Sequence, residues 1–200
     1  MKIEYYYSVA SPYAYLGIGK FQEIVNKYSI KVDEKPFDLV GTVFPATGGT
    51  PVPKRHSSRQ EYRLLEIDRV GKKLNLNINK KPIFFPPSDP HKAALFTIAA
   101  IHNGLNLDFG KEVLTKLWSE EQDISLDYTL EEVCKNLNLD FSSIKKDSEK
   151  DDIKQAYLMN SEDAIKKGVF GAPSFILENE LFWGQDRLDF LEDKIKSLQN

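Results

Sequence analysis

Residues 3–17 read Ile-Glu-Tyr-Tyr-Tyr-Ser-Val-Ala-Ser-Pro-Tyr-Ala-Tyr-Leu-Gly, and two periods meet inside them. Residues 3–7 are few, aromatic and apolar, which predicts a strand. Residues 8–11 are a turn. Pro12 then stands where a first helical residue belongs, its φ already set for a helix. Beyond it Tyr13, Leu16, Gly17, Phe21, Ile24, Val25 and Tyr28 recur at three- and four-residue spacing, one face of an amphipathic helix. Residues 31–40, with Val32, Phe37, Leu39 and Val40, are expected to be a second strand. A strand–helix–strand opening calls for a parallel pair and an α/β fold.

Downstream, residues 41–56 are rich in Pro, Gly and Thr and read as a long loop, of a length that is often functional. Helical patterns then dominate. Residues 57–74 place Tyr62, Leu65, Glu66 and Arg69 on related faces. Asp89-Pro90 reads as an N-cap and first helical residue for a helix to residue 101. Thr129-Leu130-Glu131-Glu132 has the form of a capping box before Val133 and Leu137. Residues 151–167 are helical, with Asn160 as a candidate hinge, and stop at Gly168 with Lys166 and Lys167 in the last turn. Residues 173–177 and 181–183 read as strands around a turn at 178–180. Asp186 is expected to cap a final helix with Leu188, Leu191, Ile195 and Leu198 facing the sheet. The order β-α-β, helices, α-β-β-α is that of a thioredoxin-like fold with a large all-helical insertion. It assigns residues 1–45 and 165–200 to the thioredoxin-like domain and 55–160 to the insertion.

Composition narrows the function. The 200 residues carry a net charge of −3, with lysines scattered in pairs, which argues against a nucleic-acid partner. Cys134 is the single cysteine, so no intramolecular disulfide and no Cys-x-x-Cys motif can exist. A lone cysteine of this kind reads as a buried structural thiol. His56, His91 and His102 make no zinc pattern, and no metal is expected. Residues 1–5 lack the apolar segment of a signal peptide. No apolar run reaches the roughly 20 residues of a membrane span. The expectation is a cytoplasmic protein without a membrane partner.

Three segments can carry chemistry. Ser11, just before a helix, is either an N-cap or something more. Helix N-termini stabilise anions, and a thiolate is one. A redox thioredoxin puts its own cysteine there, whereas Ser11 offers a hydroxyl to a thiolate brought by a ligand, glutathione being the obvious one. Residues 168–173, Gly-Val-Phe-Gly-Ala-Pro, are either a helix stop before a strand or a ligand-binding loop. In the second case Pro173 is cis and the Ala172 backbone pairs with a bound peptide. Residues 182–187, Phe-Trp-Gly-Gln-Asp-Arg, are either a core tryptophan and a helix cap or a holder for a zwitterionic amino-acid end. Backbone N–H groups would then take the carboxylate and Asp186 the ammonium.

Over nearly its whole length the chain resembles the 2-hydroxychromene-2-carboxylate isomerase family and its relatives, the kappa-class glutathione transferases. The resemblance is carried by Ser11-Pro12-Tyr13-Ala14-Tyr15-Leu16-Gly17, Thr47-Gly48-Gly49-Thr50-Pro51-Val52-Pro53 and Phe84-Phe85-Pro86. It continues in Gly168-Val169-Phe170-Gly171-Ala172-Pro173-Ser174-Phe175 and Phe182-Trp183-Gly184-Gln185-Asp186-Arg187-Leu188-Asp189. It implies a DsbA-like fold, glutathione as cofactor or cosubstrate, and a homodimer. Ser11 would stabilise the thiolate, Ala172 and Pro173 would flank the peptide, and Trp183, Gly184, Gln185 and Asp186 would hold the γ-glutamyl end. The second substrate, small and aromatic or acidic, would meet Arg59, Tyr62, Phe84 and Phe85. The chain departs from the family pattern at Gly49 (an asparagine), Arg59 (a lysine) and Pro45 (a lysine). The implied activity is an isomerase in which glutathione adds reversibly to a conjugated double bond. The alternatives are a transferase that leaves glutathione on an electrophile and a redox-inactive peptide-binding protein.

Overall fold

The computed structural model describes residues 1–199. Strand β1 (Lys2–Tyr7) feeds helix α1 (Pro12–Lys27), which returns to strand β2 (Lys31–Pro36). There follow α2 (Phe44–Thr47), α3 (Ser57–Lys73), α4 (Pro90–His102), α5 (Asp108–Trp118), α6 (Asp127–Asn136), α7 (Phe141–Ser148) and α8 (Asp151–Lys166). The chain then closes with β3 (Ser174–Leu177), β4 (Glu180–Trp183) and α9 (Leu188–Gln199). The sheet order is β2-β1-β3-β4, with β1 parallel to β2 and antiparallel to β3, and β3 antiparallel to β4. That is the thioredoxin arrangement, and the run of helices between β2 and β3 is the expected helical insertion.

The three tyrosines of β1 are all buried because both faces of the sheet are covered. Tyr5 and Tyr7 point to one face, and their rings stack 4.5 Å apart. Tyr5 also stacks on Phe175 at 5.1 Å, with Phe21 of α1 closing the seam. This core runs on without a break into α4, α5 and α6. Tyr6 points the other way, into a smaller core with Phe37, Val43, Ala164, Val169 and Ile176.

Several local expectations are corrected. The second strand ends at Pro36 rather than residue 40, because Asp38, two residues on, accepts from Gly41 N at 2.9 Å and starts a π-type turn over Leu39–Val43. The stretch 41–56 is not irregular throughout: it holds α2 and a 3₁₀ turn at Val52–Lys54. Thr129 is not a cap. Helix α6 already starts at Asp127, and Thr129 lies buried inside it. Helix α8 is continuous through Asn160, whose side-chain amide donates to the Pro36 carbonyl at 3.0 Å. Asp186 does not cap α9 but sits inside a 3₁₀ turn, Gln185–Arg187, that leads into it. Leu198 is exposed, whereas Leu188, Leu191 and Ile195 are buried. Cys134 is a buried free thiol whose pKa burial pushes up to about 11.

Candidate functional site

Ser11 sits at the start of α1 with extended backbone, so its side chain can fold back over the helix end. Its Oγ accepts from Ala14 N at 3.3 Å and donates to the Ala172 carbonyl at 3.2 Å. One hydroxyl therefore joins the first helix to the loop before β3. The Ala172–Pro173 peptide bond is cis, as is Phe85–Pro86. Beside this loop runs the start of the last turn: Gly184 N donates to the Pro173 carbonyl at 2.9 Å. Glycine at 171 lets the Trp183 ring lie against the loop, because a Cβ at that position would collide with the indole Nε1 as the ring now stands. Gly17 serves the other side, since a Cβ there would stand 2.9 Å from Gln185 Cβ and push the 3₁₀ turn off α1. Glycines at 17 and 171 thus set the spacing between the two helix starts and the proline loop.

These elements open onto a cavity of about 800 Å³. One wall is Ser11, Tyr13, Phe170, Gly171, Ala172 and Trp183; the facing wall comes from residues 47–63 and 85–90. Phe170 meets Trp183 edge-on, with centroids 4.6 Å apart. The facing wall is basic. Arg55, Arg59 and Arg63 all line it, and none makes an ion pair among the described residues. Arg55 donates from Nε to the Thr50 carbonyl at 2.7 Å. Burial pulls the pKa values of Arg55 and Arg63 below the usual arginine range, helped by repulsion from Arg59 on Arg55 and from Arg55 on Arg63. Burial raises the Tyr13 pKa, against the pull of Arg63 and Arg55. Tyr157 also lines the cavity, and its hydroxyl lies 3.2 Å from His91 Nδ1.

The structure brings Ser11, Ala172, Trp183, Arg59 and Phe85 to this cavity. Pro173, Gly184, Gln185 and Asp186 are not among the residues that line it. Asp186 is exposed, and among the described residues its one ion pair is with Arg187 of the same turn, at 3.3 Å. Tyr62 and Phe84 point outward and are exposed. Sequence reasoning missed Tyr13, Arg55, Arg63 and Tyr157. Arg63 follows Tyr62 on α3, so the helix turn that exposes Tyr62 drives Arg63 inward. No helix among the described residues is long and apolar enough to cross a membrane, and no three metal-ligating side chains cluster.

The family model for the DSBA-like thioredoxin domain matches residues 2–196. Among characterised proteins, a 2-hydroxychromene-2-carboxylate isomerase of Sphingobium xenophagum is 24% identical over 200 residues, covering 95% of each chain. Glutathione S-transferase kappa 1 of Caenorhabditis elegans is 23% identical over 210 residues, covering 99% of this chain and 92% of the relative. A solved 2-hydroxychromene-2-carboxylate isomerase structure superposes with a TM-score of 0.83 at 20% identity, over 99% of this chain and 96% of that one.

Proposed function

The chain belongs to the DSBA-like thioredoxin domain family, and from that premise we propose that it is a glutathione-dependent isomerase of the 2-hydroxychromene-2-carboxylate isomerase type. The observation that carries this is the position of Ser11. A disulfide-exchanging member of such a fold needs a cysteine at a helix start, and the chain has none at positions 11 or 14. Cys134 is buried in the insertion and its thiol is held protonated. The site keeps the anion-stabilising helix start and offers a hydroxyl, so the nucleophilic sulfur must arrive on a ligand.

Glutathione would lie along the Ser11–Ala172–Trp183 wall. Its central N–H would take the Ala172 carbonyl that Ser11 now occupies, and the freed Ser11 hydroxyl would turn to donate to the sulfur. The α-carboxylate and ammonium of the γ-glutamyl end would sit at Gly184–Asp186. The thiolate would add to a conjugated double bond of the second substrate. Rotation about the resulting single bond and elimination of the thiolate would then give the isomer and return glutathione unchanged. Arg59 and Phe85 would face that substrate across the cavity. By the family expectation the protein would work as a homodimer in the cytoplasm.

The kappa-class relative supports a second reading, in which glutathione remains on the electrophile. Calorimetric titration with glutathione tests the common part: saturable binding at millimolar ligand is expected, and no heat of binding refutes both readings. Product analysis then separates them, because glutathione is recycled in one and consumed in the other.

A further inference from the structure

Helix α8 buries the stripe Ile153, Tyr157, Ser161 and Ala164. Tyr157 is only 8% exposed, yet it lines the cavity. Two of the buried tyrosines in β1 have committed hydroxyls: that of Tyr7 lies 2.5 Å from a Glu34 oxygen, and that of Tyr6 lies 2.6 Å from oxygens of both Glu4 and Asp163. The Tyr157 hydroxyl has one partner among the described residues, Nδ1 of His91, at 3.2 Å. A hydroxyl holds one donor and two acceptor positions, so most of its capacity is unused. The charged groups near it are the carboxylates of Asp38 and Asp89. Both are tied to their own turns. Asp38 accepts from Gly41 N and Thr42 Oγ1, and Asp89 accepts from His91 N and Lys92 N. Burial and those two charges raise the pKa of Tyr157, so its hydroxyl stays a neutral donor. His91 stands in the first turn of α4, exposed, with its ring edge-on to Tyr157 and centroids 5.7 Å apart. When Nδ1 carries the hydrogen, it donates to the Tyr157 oxygen, and the phenol's own hydrogen is left for a third group. No other protein acceptor holds it among the described residues, and the cavity is where a ligand reaches it.

We propose that Tyr157 is a catalytic hydrogen-bond donor, aimed by His91, that stabilises the negative charge appearing on the second substrate when the thiolate adds. The sulfur lone pair forms the new carbon–sulfur bond. The π pair of the attacked double bond moves along the conjugated chain, and the charge comes to rest on the electron-withdrawing oxygen at its end. The Tyr157 O–H donates to that oxygen and keeps its proton. On elimination the electron pairs return, the carbon–sulfur bond breaks and the thiolate leaves unchanged. A donor fixed in place beforehand stabilises such a charge more than water does, because nothing has to reorganise as the charge appears. The His91 N–H behind the phenol strengthens it further, since hydrogen bonds in a chain polarise one another. The inference rests on the proposed function for the nucleophile; the oxyanion donor itself is read from Tyr157, His91 and the cavity.

The test needs no turnover. 4-Nitrophenolate, a conjugated oxyanion, and 4-nitroanisole, its neutral methyl ether, are titrated into the whole protein at a pH where the former is ionised. The preference of wild type for the anion over the ether is expected to fall about ten- to a hundredfold in Tyr157→Phe. A hydrogen bond to the phenolate oxygen moves its absorption band to shorter wavelength, so the bound band is expected further to the blue in wild type than in the variant. His91→Leu loses part of the preference, and His91→Asn, whose side-chain N–H can stand where Nδ1 does, regains it. With saturating glutathione, addition to the enone benzylideneacetone is expected to slow about a hundredfold in Tyr157→Phe. No saturable binding of nitrophenolate by wild type, or the same preference and band position in Tyr157→Phe, overturns the proposal. So does an enone rate that survives Tyr157→Phe in a protein that binds glutathione. No recovery in His91→Asn overturns the positioning role of His91. If nitrophenolate behaves as expected but glutathione does not bind, the oxyanion donor stands and the glutathione reading fails.

Discussion

At position 11 one oxygen accepts from Ala14 N and donates to the Ala172 carbonyl, and both bonds are long, at 3.3 and 3.2 Å. Long bonds are weak, so the hydroxyl can be redirected at little cost. A serine that only capped a helix would be worth about 1 kcal/mol. A serine that also steadies a developing anion controls much more in rate than in stability, because removing one aimed donor from such a site costs about a hundredfold or more. Ser11→Ala is therefore expected to lower the unfolding free energy by about 1 kcal/mol and glutathione-dependent turnover by about a hundredfold. Denaturant titration and initial rates measured on the same preparation check the two numbers together. A rate that falls only as far as the folded fraction does would leave Ser11 as a cap and nothing more.

The elements around the site are joined by close approach rather than by many hydrogen bonds. Gly171 admits the Trp183 ring, and a Cβ would meet the far edge of that ring rather than any backbone. Trp183 is half exposed and can swing away. Gly171→Ala is accordingly expected to change stability by less than about 1 kcal/mol, within the ordinary range for a site that can relax, while blue-shifting or quenching Trp183 emission and weakening glutathione binding about tenfold. Tryptophan fluorescence with calorimetry decides it. Legibility in the sequence also differs from element to element. β1, α1 and the β3–β4 hairpin were visible because period, proline and turn lie within a few residues of one another. The hairpin turn is tighter than expected: Glu178 and Asn179 both have positive φ, at 49° and 64°, and strand pairing starts again at Glu180. The end of β2 was not visible, because Leu39 and Val40 look like strand residues and only the Asp38 turn removes them from the sheet. Helix α5 was masked by Leu107, which begins it in a left-handed conformation at φ 66°, and by Gly110 in its first turn. In the site, Ser11, Ala172 and Trp183 were legible as parts of contiguous motifs. Arg63 and Tyr157 were not, since a lone arginine or tyrosine on a polar helix reads as a solvated face until its neighbours are placed.

Across the whole molecule the sheet and the inserted helices meet at a buried carboxyl. Glu34 of β2 accepts from the Tyr7 hydroxyl at 2.5 Å and from Leu107 N, at the start of α5, at 2.6 Å. Burial raises its pKa to about 7, against those two hydrogen bonds, and the nearby Asp108 charge adds to the rise. The folded pKa lies above the unfolded one, so the contribution is complete at low pH and is lost as pH rises from about 4.5 through about 7. A shift of that size is worth on the order of 3 kcal/mol. Glu34→Gln, which can still accept from Leu107 N, is expected to flatten the stability profile over that range, as read by denaturant titration at a series of pH values. An unchanged slope would mean that Glu34 is ionised throughout. The same joined frame holds α1, the proline loop and the basic wall around one cavity, and the account stands on what that cavity does to a thiol. The most direct measurement is the ultraviolet thiolate absorbance of glutathione bound at saturation, followed against pH in wild type and in Ser11→Ala. The account predicts a thiolate band at neutral pH in wild type, with the bound thiol titrating well below the roughly 8.5 of a free thiol, and its loss in Ser11→Ala. A bound thiol that titrates as it does in free solution, or a band of equal strength in both proteins, would contradict it.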